Sequence, residues 1–75
     1  MNRFSPGDLL IVTRDRTLVY GDKTMDHLDT LACGHVLLCI PEDSFMNELD
    51  SFTAVMHLGQ AAVIHSDRVS RFKIP

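Results

Sequence analysis

The sequence has no tryptophan, one tyrosine and two cysteines. It also lacks a basic surplus: ten acidic residues stand against seven lysines and arginines, a formal net charge of −3. Proteins that bind nucleic acid draw most of their affinity from phosphate contacts and usually carry excess positive charge, so nucleic acid is not the first partner expected here. No apolar run approaches the roughly 18 residues that span a bilayer. The longest are Leu9–Val12, Val36–Ile40 and Ala61–Ile64, and no membrane association is expected. There is no glycine-rich phosphate loop. Cys33 and Cys39 form no Cys-x-x-Cys pair, and the histidines show no His-x₃-His spacing. Met1–Pro6 carries no apolar stretch of the signal-peptide kind. A cytoplasmic location is therefore expected, in the chain's own cell or in a host cell, with both thiols reduced.

What is present is an ordinary globular composition, 45% apolar and 23% charged, unlike that of a disordered chain. At 75 residues it makes one domain, 1–75, with a thin core, since so short a chain buries only about 60% of its unfolded surface. Glu42, Asp43, Glu48 and Asp50 crowd the middle, and Arg68, Arg71 and Lys73 crowd the end. Arg3, Arg14 and Arg16 are further basic residues that such an edge could recruit.

Strand signals dominate. Pro6-Gly7-Asp8 marks a turn, and Leu9–Thr13 follows with three β-branched residues. Thr17–Tyr20 is extended and closes at Gly21-Asp22. In 23–34, Met25, Leu28 and Leu31 recur at helical spacing, with Thr24 placed to start a short helix and Gly34 to end it; an irregular loop fits equally. His35–Ile40 reads as a strand stopped by Pro41, and 42–50 as a loop with one helical turn around Phe45 and Leu49. Phe52–Leu58, Gly59-Gln60 and Ala61–His65 read as a hairpin on a type II′ turn. That turn sets Val55 opposite Ile64, Met56 opposite Val63, His57 opposite Ala62 and Leu58 opposite Ala61. Ser66-Asp67-Arg68 is a polar turn, capped by Ser66 or Asp67, before a last strand from Val69 to Ile74.

This order resembles the SH3-like barrel. The residues carrying the likeness are Pro6-Gly7-Asp8-Leu9 at the first strand and Ala62–Val69 near the end, where a strand runs through one 3₁₀ turn into the last strand. The resemblance implies a mostly β, five-stranded SH3-like barrel with a long first loop and short helical turns, with Ile64 and Val69 pointing inward. A better comparison is with minimal SH3-like proteins of bacteria and their phages, which often open with a similar Pro-Gly-Asp stretch. Tyr20 falls in the long first loop, where peptide-binding members keep groove aromatics. His65 and Arg68 fall on the groove's other side but are not the usual residue types. With so few aromatics, polyproline recognition is not expected.

Candidate chemistry is sparse. His27, Cys33 and His35 supply nitrogen and sulfur donors, but three ligands do not close a structural zinc site; no metal and no cofactor are expected. His57 and His65 lie on opposite faces of the hairpin, and Ser66 and Asp67 beside His65 do not make triad geometry. No catalytic residue is expected. The informative feature is a failure to alternate. Strands with one wet face alternate apolar and polar residues, yet Leu9–Val12, Val36–Ile40 and Ala61–Ile64 are apolar on both faces. The expected function is therefore a non-enzymatic protein–protein interaction module, a small phage or bacterial accessory protein that docks on a protein partner or forms a homo-oligomer. The partner-binding residues expected are Tyr20, Met56, Val63, His65 and Arg68. The alternative is a nucleic-acid-associated SH3-like protein using the C-terminal basic edge.

Overall fold

A computed structural model describes residues 4–22, 24–41 and 51–73. Seven strands form one antiparallel sheet: β1 (Leu9–Val12), β2 (Thr17–Gly21), β3 (His27–Leu31), β4 (Val36–Cys39), β5 (Phe52–His57), β6 (Gln60–His65) and β7 (Val69–Arg71). Their order across the sheet is β3-β2-β6-β5-β4-β1-β7. A 3₁₀ turn, Ser66–Arg68, joins β6 to β7.

The mostly β expectation stands, with two corrections to the architecture. Among the described residues there are seven strands and not five, and the ladder has two edges, β3 and β7, rather than closing on itself. The long first loop supplies the extra pair. Thr17 faces Leu31 and Leu18 faces Thr30, so β2 and β3 form a hairpin of their own. Residues 27–31 are thus a strand, neither helix nor irregular loop. The three-residue spacing of Met25, Leu28 and Leu31 misleads because these residues share no buried face. Leu31 is in the core, Leu28 is exposed and Met25 sits in the turn before β3 at φ 59°. The helical turn expected within 42–50 lies outside the described residues.

The first turn is built as its residues dictate. Asp8 N–H donates to Ser5 C=O at 3.0 Å, and Gly7 takes φ 95°. Proline followed by a left-handed glycine is the type II signature. Gly7 N–H donates to Cys39 C=O, which ties the turn to the end of β4.

The β5–β6 hairpin forms in a different register from the expected one. His57 pairs with Gln60, Met56 with Ala61, Val55 with Ala62 and Thr53 with Ile64. The two turn residues are Leu58 and Gly59, both at positive φ (51° and 79°), which is a type I′ turn. The shift preserves the faces: Val55 and Ile64 remain on one side, now as diagonal neighbours. It also brings Thr53 Oγ1 within 2.7 Å of Ser66 Oγ, a buried hydrogen bond at the open end of the hairpin. Ser66 therefore locks the hairpin and does not cap the 3₁₀ turn, which has no side-chain cap.

Every strand contributes to one core cluster: Leu10 and Val12, Val19, Leu31, Leu37 and Cys39, Val55, Ala62 and Ile64, and Val69, with Phe4 packed against it. Both edge strands reach that cluster, so the sheet curls around its own inner face. Val55, Ile64 and Val69 are buried together in that cluster, with Val12 beside them. Val36 and Leu38 point the other way, and Leu37 and Cys39 take the inner positions of β4. The last strand ends at Arg71, short of the expected Ile74, which is not among the described residues.

Candidate functional site

Three of the five expected partner-binding residues come together. Tyr20, His65 and Arg68, with Arg16, Thr17 and Leu18, line a cleft of about 160 Å³. The β2–β6 ladder does this by setting Tyr20 opposite Val63, while the 3₁₀ turn carries Arg68 back beside His65. Arg16 enters from the β1–β2 turn, where it takes φ 58°. Aromatic side chains extend this wall. Phe52 lies 4.6 Å from the His65 ring and 6.3 Å, edge-on, from Tyr20, and His27 meets Tyr20 edge-on at 6.4 Å.

The charges around the cleft are unevenly matched. His65 Nδ1 lies 3.2 Å from Asp67 Oδ1, and Arg71 Nε donates to Asp8 Oδ2 at 3.2 Å. Among the described residues, no carboxylate pairs with the Arg16 or Arg68 guanidinium. Arg68 is anchored through its backbone, whose carbonyl accepts from both the N–H and the hydroxyl of Thr13.

Met56 lies elsewhere on the outer face. Leu9 pairs with Leu38, Ile11 with Val36, and Leu38 with Met56, so five apolar side chains stand in adjacent outward positions of β1, β4 and β5. Val36, Leu38 and Met56 are each 40–43% exposed. Val63 shares this outer side but is fully buried between Tyr20 and Ala54 and presents no surface of its own.

A third cluster went unread in the sequence. Buried His57 bonds Asp29 across 28 residues of chain, with Nε2 to Oδ2 at 2.9 Å. Together with the Thr30 backbone N–H, that bond holds the Asp29 carboxyl below the usual carboxylate range, against a smaller opposing desolvation. His35 stacks edge-on to His57 at 5.9 Å. No sequence spacing signals the pair, because it joins edge strand β3 to β5, with two strands between them in the sheet. Its role is architectural: it pins the edge of the sheet. Among the described residues no group of three His, Cys, Asp or Glu side chains is placed to hold a metal ion, His27, Cys33 and His35 included. Cys33 is exposed and Cys39 is buried in the core. No helix among the described residues is long and apolar enough to cross a membrane. In comparisons with known proteins, the chain matches no family model, no curated protein and no solved structure.

Proposed function

We propose that this chain is a non-enzymatic protein–protein interaction module of SH3-like build, which docks its outer sheet face onto a protein surface, first of all that of a second copy. The SH3-like reading is supported by the β1–β7 pairing, by the tight β5–β6 hairpin and by the 3₁₀ turn that feeds the last strand. The docking reading is carried by one observation: the contiguous row Leu9, Ile11, Val36, Leu38 and Met56 on outward positions. An apolar patch left on a small domain's surface marks an interaction site. An uncharged aliphatic row is also its own complement, which is what a two-fold interface between identical copies needs.

Sedimentation of the pure protein over a wide concentration range tests it. Self-association is expected, and Leu38→Glu is expected to leave a folded monomer. A wild-type chain that stays monomeric at every concentration overturns the homotypic reading. Less supports nucleic-acid binding through the C-terminal basic edge, because Arg71 is already engaged by Asp8.

A further inference from the structure

We propose that the cleft between β2 and the 3₁₀ turn is a receptor for one carboxylate side chain of an acidic peptide segment, held by Arg16 and Arg68 against the Tyr20 wall. This site is distinct from the apolar row and stands without it. The argument begins with unmatched charge. The chain is acidic overall, and its other described C-terminal arginine, Arg71, has a carboxylate partner. Yet the two guanidiniums lining the cleft have none among the described residues. The nearest acids by sequence have other partners: Asp67 sits against the ring of His65 at the cleft wall, and Asp15 Oδ1 accepts the Cys33 N–H at 2.9 Å. Guanidinium is the group whose planar fork best fits a carboxylate.

Size narrows the ligand. Sites for cofactors and drug-sized molecules run to roughly 300–1,000 Å³, whereas this cleft holds about 160 Å³, room for the end of a single side chain. Wall chemistry narrows it further. Leu18 is 41% exposed at the cleft, and with Tyr20 it offers apolar surface to a ligand's aliphatic stem, which a bare inorganic anion lacks. Arginine and tyrosine are also the residues that most often anchor protein interfaces. A polyanion is disfavoured: a net charge of −3 repels a long phosphate backbone, while one carboxylate feels mainly the local pair.

Titration of the isotope-labelled full chain, followed by NMR, tests the proposal with an eight-residue peptide carrying one central Glu flanked by apolar residues. The controls are its Gln counterpart, inorganic phosphate and an eight-nucleotide oligothymidylate. Saturable shifts confined to residues 16–20 and 65–68 are expected with the Glu peptide. Binding is expected to fall at least tenfold with the Gln peptide, and again with the double variant Arg16→Gln/Arg68→Gln, whose unchanged spectrum elsewhere certifies its fold. Leu38→Glu is expected to leave the titration unaltered, which separates this site from the apolar row. Equal binding of the Gln peptide overturns the carboxylate assignment. Phosphate binding as tightly as the peptide overturns the peptide assignment. Tighter binding of the oligonucleotide replaces both with a nucleic-acid site.

Discussion

Ile64 carries more of this fold than any other single side chain of the hairpin. It is fully buried, stands opposite Thr53 in one ladder and Val19 in the other, and belongs to the central cluster. Ile64→Ala should cost about 2–5 kcal/mol by loss of transfer energy plus the cavity left behind, read from denaturant unfolding. Full tolerance of the change would contradict its placement. Thr53→Val should cost about 1–3 kcal/mol, because it strands the buried Ser66 hydroxyl without its partner. Asp29 gives a pH dependence with a definite sign. Its carboxyl titrates below the unfolded value because His57 and the Thr30 N–H bond the ionised form. The stabilisation is therefore present above the unfolded carboxylate pKa of about 4 and is lost as pH falls through the lower folded value. Acid unfolding of the wild type should steepen in that range, and Asp29→Asn should flatten it. An unchanged acid limb in the variant would remove Asp29 from the account.

At the scale of elements, the turn in the β5–β6 hairpin is the most informative. Leu58 takes φ 51° at a fully wet hairpin tip, 82% exposed. A residue with a Cβ pays roughly 1–2 kcal/mol for that conformation, whereas asparagine before glycine is the preferred type I′ pair. Leu58→Asn should raise stability by about 1 kcal/mol, or roughly 4–8 °C in Tm for a domain of this size. A fall in Tm would mean that the exposed leucine makes a contact the turn depends on. This element also marks how far the sequence could be read. β1, β4, β5 and β6 were legible as runs of β-branched and apolar residues, because each packs a whole face. β3, His27–Leu31, was not, because an edge strand with only Leu31 buried leaves no period-two signal. The hairpin register was ambiguous because Gly59 serves as the first residue of one primed turn or the second of another. The Thr53–Ser66 bond at the hairpin's far end goes with the second, and turn chemistry is silent on it. Of the candidate cleft, Tyr20, His65 and Arg68 were named in the sequence through the fold resemblance, and they line one cleft. Arg16 joined them only through the β1–β2 turn, and Val63 was lost to burial because Tyr20 and Ala54 flank it on the outer side.

For the whole molecule, the two proposed surfaces should respond to salt with opposite sign. A specific interface between copies buries about 800 Å² on each side, roughly a sixth of the 4740 Å² this chain exposes. The apolar row Leu9, Ile11, Val36, Leu38 and Met56 would sit at its centre, uncharged. Copies of a chain with net charge −3 repel one another, and added salt screens that repulsion. Sulfate, being excluded from protein surface, further favours apolar burial. Self-association should therefore strengthen from low salt to 0.5 M sodium sulfate. The cleft behaves in the reverse way. Its attraction for a carboxylate rests on Arg16, which is exposed, and on Arg68, which is partly so, and such charges are screened within about 10 Å at 0.1 M salt. Affinity for the Glu peptide should fall over the same range. Sedimentation and peptide titration across one chloride series and one sulfate series read both effects on the same sample. Self-association that weakens with salt in parallel with peptide binding would place charge, not the aliphatic row, at the contact between copies, and Leu38→Glu would then leave the oligomer intact.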